Sequence, residues 1–113
     1  MANHVQTDDR RRCRVIARRL QGEDRQKAWA AKAVLDEALR SRILAEERGG
    51  DAFAGTDWDS AREALAVLRA YGADVGIGLP EPADEGAFHQ WLVFSYGARE
   101  FFTQMLRIRQ KQK

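Results

Sequence analysis

Apolar residues recur along most of this chain at the three-and-four spacing of helices buried on one side. Cys13, Ile16, Ala17 and Leu20 mark the first stripe. Thr7 is a suitable N-cap, and Asp8 and Asp9 suit the positive end of the helix dipole. Gly22 ends or kinks this helix. From Glu23 to about Arg48 the chain is rich in strong helix formers and free of Gly and Pro. Ala28, Ala31, Leu35, Leu39 and Ile43 line one face there, widened by Trp29, Ala33 and Leu44, and Gly49 with Gly50 stops the helix. A third helix is expected from Thr56, whose side chain and that of Asp59 form a variant capping box. It buries Trp58, Ala61, Leu65 and Leu68, has Ala64 and Tyr71 at its edge, and ends at Gly72.

The stretch Phe88 to Ile108 holds four of the five Phe residues, so it belongs to the core. Wound at about 100° per residue, Ala87, Phe88, Trp91, Phe94, Ala98, Phe101, Phe102, Met105, Leu106 and Ile108 fall in one arc of roughly 160°. Leu92, Val93 and Tyr96 are left over on the polar side, where they break a run of His89, Arg99, Glu100, Thr103, Gln104 and Arg107. Gly97 is the cost of the helix, about 1 kcal/mol against Ala. A short strand at Trp91 to Tyr96, between Gly86 and Gly97, is the competing reading. Between the third and fourth helices, Ala73 to Ala83 (ADVGIGLPEPA) is an irregular Gly/Pro segment that lays Val75, Ile77 and Leu79 against apolar neighbours. The expectation is an all-α, single-domain bundle over residues 1–113, with helices near 8–21, 23–48, 57–71 and 84–110, a loop at 72–83 and a basic tail from about 109. Trp29, Trp58 and Trp91 should all be at least partly buried.

Composition adds a setting and a charge pattern. A chain of 113 residues can bury about two-thirds of its unfolded surface without disulfide or metal. The single Cys13, and an N-terminus with no apolar h-region, point to a reducing, cytoplasmic location. No run approaches a membrane span. The formal charge is +2, unevenly spread: residues 1–22 carry six Arg against two Asp, and 87–113 five bases against one acid, whereas 49–86 carry two Arg against eight acids. Basic ends and an acidic middle can steer a polyanion to the ends, or dock the ends against the middle within one copy or between copies.

Catalytic chemistry finds little support. The histidines are His4 and His89, and Cys13 lies on an apolar face, so no base stands beside a nucleophile in the pattern. Glu85 and His89, at i,i+4, read as a surface pair, because two ligands do not make a metal site. Gly76-Ile77-Gly78 lacks the further Gly and the Lys-Ser/Thr of a phosphate loop. Asp51, Asp57 and Asp59 miss the calcium-loop spacing. No enzyme activity, cofactor or metal is expected.

The basic elements remain. Arg11, Arg14 and Arg18 share a helical face, flanked by Arg12 and Arg19. Their guanidinium groups could follow a phosphate backbone with bidentate bonds, and Arg107, Arg109 and Lys111 could extend the track. A solvated face, a membrane-surface helix or a protein interface would use the same residues. A protein contact on the last helix is expected at Leu92, Val93 and Tyr96. With Arg11, Arg14, Arg18 and Arg19 on its first helix and aromatics on its last, the chain resembles the small helical subunits of CRISPR effector complexes. That resemblance implies a repeated, non-enzymatic subunit lining a nucleic-acid path, with a single strand or an RNA–DNA hybrid and larger protein subunits as partners. The alternative is a protein-binding regulator or inhibitor with a charge-complementary interface.

Overall fold

A computed structural model describes residues 9–49, 57–98 and 107 of the chain. Its elements are α1 (Asp9–Arg19), α2 (Gly22–Glu47), α3 (Trp58–Asp74) and α4 (Glu85–Trp91), the last continued by a π-helical turn, Leu92–Tyr96. The protein is an all-α bundle. No strand occurs among the described residues, and the competing strand at Trp91 to Tyr96 is replaced by the π turn. Among these residues no helix is long and apolar enough to cross a membrane. The N-cap expected at Thr7, the last helix beyond Ala98 other than Arg107, and the tail from 109 lie outside the described residues.

Each helix boundary has a local cause. The turn from α1 to α2 passes through Gly22 at φ +60°, a left-handed conformation that Gly adopts without a Cβ clash. Gly49, at φ +75°, closes α2. At α3 the cap falls one residue later than the capping-box pattern suggests: Asp57 Oδ1 accepts from the Ser60 backbone N–H at 3.1 Å. Asp84 caps α4 in the same way, accepting from Ala87 N–H at 2.8 Å.

The end of α3 also corrects the sequence reading. Gly72 lies inside the helix, and the left-handed glycine is Gly76 at φ +77°. Ile77 N–H donates to Gly72 C=O at 2.7 Å and Gly76 N–H to Ala73 C=O at 3.3 Å, the two bonds of a Schellman motif. Gly72 is required by packing instead. A Cβ there would stand 2.5 Å from the Ile77 carbonyl oxygen and 3.0 Å from Ile16 Cδ1, so its absence lets α1 and the returning chain close on α3.

The core is formed where the predicted stripes meet. Cys13, Ile16 and Ala17 of α1, Ala28, Ala31, Leu35, Leu39 and Ile43 of α2, and Ala61, Leu65 and Leu68 of α3 are all buried. Val75, Ile77 and Leu79 pack against this cluster from the loop. Ala33 and Leu44, expected to widen the buried face of α2, are exposed. Trp58, Phe88, Trp91 and Tyr96 make a chain of ring contacts, with centroids 5.0 Å, 5.8 Å and 5.3 Å apart. Trp91 is buried and Trp29 and Trp58 half-buried.

Replacing Gly72 by Ala forces a Cβ against a backbone oxygen that cannot rotate away. A loss of about 1–3 kcal/mol, the usual cost of overpacking, is expected as a lower urea midpoint at unchanged m-value.

Candidate nucleic-acid interface and the polar groups behind it

The α1 arginines divide into two sets. Arg11, Arg14 and Arg18 are exposed, as their i, i+3, i+7 spacing predicts, and none of them has a hydrogen-bond or ion-pair partner among the described residues. Arg12 and Arg19 are occupied by the irregular loop. Arg12 Nη1 donates to the Gly78 carbonyl at 3.2 Å and lies 3.4 Å from Asp9 Oδ1, and Arg19 Nη1 donates to the Val75 carbonyl at 3.0 Å. These two tie the irregular loop to α1, satisfying carbonyls that no helix uses. Arg107 is helical and exposed. Arg109 and Lys111 lie outside the described residues, so their continuity with α1 is not placed.

The protein-contact residues expected on the last helix are corrected. Leu92, Val93 and Tyr96 are buried, and Phe94, expected in the core, is 68% exposed. That expected face requires an unbroken α-helix from Phe88 onward. The π turn, closed by Gly97 N–H to Leu92 C=O at 2.9 Å, inserts one residue into that winding. Gly97 faces Leu39 so closely that a Cβ would overlap the Leu39 methyls.

Two polar contacts seat this segment. The Trp91 indole N–H donates to Asp9 Oδ2 at 2.6 Å within the core, joining α4 to the start of α1. The Tyr96 hydroxyl donates to Asp36 Oδ1 at 2.5 Å and approaches the Lys32 carbonyl at 3.5 Å. Asp36 also takes Lys32 Nζ at 2.8 Å and Arg10 Nε at 3.5 Å. Lys32 is buried, and its charge is compensated by that carboxylate. Sequence reasoning missed this group. The only available signal was Lys32 and Asp36 at i,i+4 within an otherwise apolar face.

His89 is buried, not on the surface, with Nε2 3.8 Å from Glu85 Oε1 and its ring edge-on to Phe88 at 5.7 Å. Among the described residues no group of three or more His, Cys, Asp or Glu could hold a metal ion. Cys13 is buried and its thiol is pushed up to about 12, chiefly by burial and then by the Asp9 charge. Burial and the Asp36 carboxylate likewise raise the Tyr96 hydroxyl above its ordinary value. Such groups stay protonated at neutral pH and act as packing and hydrogen-bond donors.

No family model matches the chain, and neither the curated proteins nor the solved structures contain a match.

The raised Cys13 thiol has a consequence above neutrality. An unfolded chain loses this proton near its ordinary value of 9.0, while the folded chain keeps it until about 12. The stabilisation is therefore complete below pH 9 and is lost as pH rises through that window, at about 1.4 kcal/mol per pH unit for one proton. Tyr96 acts in the same sense. Urea midpoints measured from pH 8 to pH 11 should fall with pH, and less steeply in Cys13→Ala.

Proposed function

We propose that this chain is a non-enzymatic helical subunit of a nucleoprotein assembly, which contacts nucleic-acid backbone without sequence specificity through α1. The observation that carries this reading is the division among the α1 arginines. Arg12 and Arg19 have internal acceptors, whereas Arg11, Arg14 and Arg18 stand exposed on one face with none among the described residues.

The spacing suits a phosphate track. Seven residues of helix separate Arg11 from Arg18, about 10 Å at 1.5 Å per residue. A single strand presents a phosphate about every 3.4 Å along a duplex axis, so three guanidinium groups have three anions within reach. Each planar fork can hold two phosphate oxygens. Contacts of this kind position a backbone and read no bases. The aromatic rings that could stack on bases are mostly committed to the core, with Trp58, Phe88, Trp91 and Tyr96 in mutual contact. A CRISPR effector complex is one setting such a subunit would suit, with larger proteins as neighbours.

A second reading rests on the opposite charge. Asp57, Asp59 and Glu63 are exposed at the start of α3, which favours a regulator that docks a basic protein surface.

The test is binding of wild type and the Arg11→Glu, Arg14→Glu, Arg18→Glu triple variant to single-stranded and duplex nucleic acid across a salt series. Loss of the three contacts should weaken binding and make the slope of log K against log salt shallower by about 2–3. Equal affinity and slope in the two proteins would overturn the proposal.

A further inference from the structure

Arg12 and Arg19 make the same kind of bond to the same loop, but they are not held equally. They lie seven residues apart on α1, about 10 Å along its axis. Val75 and Gly78, whose carbonyls they bind, are three residues apart on a chain that extends at most about 3.5 Å per residue. The loop therefore runs along α1 and offers one oxygen to each guanidinium, at the spacing of the arginines themselves. It does with carbonyls what a phosphate backbone would do with anions.

The second partners differ. Arg12 also stands 3.4 Å from Asp9 Oδ1, a buried carboxylate that accepts from the Trp91 indole, and Arg12 is itself half-buried. Drawing Arg12 away would strip a buried anion of a nearby cation, a costly change. Arg19 is exposed, and among the described residues the Val75 carbonyl is its one partner. That bond lies at the surface, so water can take the place of the guanidinium on the carbonyl at little cost. The loop does not depend on it alone, since Val75, Ile77 and Leu79 pack against the core.

Arg19 also borders the exposed set. It follows Arg18 directly and lies about 80° around the helix from Arg11. A carbonyl gives it one neutral acceptor. A phosphate gives a full charge and a pair of oxygens matched to the planar fork, which makes the stronger bond. On the reading of α1 as a nucleic-acid face, on which this rests, we propose that Arg19 is a fourth phosphate ligand. It sits on the Val75 carbonyl in the free protein and transfers to the backbone when a strand binds, while Arg12 stays on Asp9 and the loop. The loop is thus an internal competitor for one of four contacts.

The test compares wild type, Arg19→Gln, Arg12→Gln and the Arg11→Glu, Arg14→Glu, Arg18→Glu triple variant in binding a short oligothymidylate across a salt series. Arg19 is exposed, so the thermal midpoint of Arg19→Gln should stay near that of wild type. Its slope of log K against log salt should be shallower by about 0.7, the value for one phosphate contact on a single strand. Arg12→Gln should keep the wild-type slope. Side-chain NMR of the arginines follows the transfer in the unaltered protein: adding the strand should shift the Arg19 guanidinium resonances and leave those of Arg12 in place. An Arg19→Gln slope equal to that of wild type, or Arg12 resonances that move as far as those of Arg19, would overturn the proposal. The triple variant keeps two failures apart. Loss of its binding together with an unchanged Arg19→Gln slope removes Arg19 alone, whereas wild-type binding by the triple variant removes the whole interface and Arg19 with it.

Discussion

The placement of the last helix depends on two hydrogen bonds made by side chains five residues apart. The Trp91 indole reaches Asp9 at the start of α1, and the Tyr96 hydroxyl reaches Asp36 in the middle of α2. Both donors are buried, and a buried donor left without an acceptor costs about 1–3 kcal/mol. The chain between them is fixed at both ends. In a regular α-helix the direction of Tyr96 relative to Trp91 follows from the winding alone; here a π turn supplies the additional residue. The less common backbone geometry thus goes with two satisfied polar anchors, and an exposed Phe94 is its by-product.

The same economy governs α1. Its basic character looks uniform in one dimension, but the helix faces three environments. Cys13, Ile16 and Ala17 enter the core, Arg12 and Arg19 satisfy loop carbonyls, and Arg11, Arg14 and Arg18 meet water. Net charge therefore overstates what α1 has available for a partner. The two arginines bound to the loop still matter to any interface, because they hold the irregular loop beside the helix and so help to fix the outline of the basic face.

How much was legible in the sequence follows from how local each cause is. The stripes of α1, α2 and α3 depend on spacing within one helix, and residues such as Ile16, Leu35 and Leu65 are buried as that spacing implies. Exposure of Arg11, Arg14 and Arg18 is the same argument from the other side. What sequence did not yield depends on pairs far apart in the chain. Asp9 with Trp91 and Asp36 with Tyr96 are 82 and 60 residues apart, and no periodicity connects them. Gly72 looks like a helix stop in the sequence because glycines commonly follow helices. Its actual role, making room for Ile16 and the Ile77 carbonyl, becomes visible only when three segments are placed together.

A π turn is also a statement about chain length. Between Trp91 and Gly97 this protein has one residue more than an uninterrupted α-helix would need to hold the same two ends in the same directions. A relative with a regular helix here would carry one residue fewer. An alignment that admits gaps only in loops would then shift every position after the turn by one residue. Comparison of this chain with distant kin should allow a gap inside the last helix.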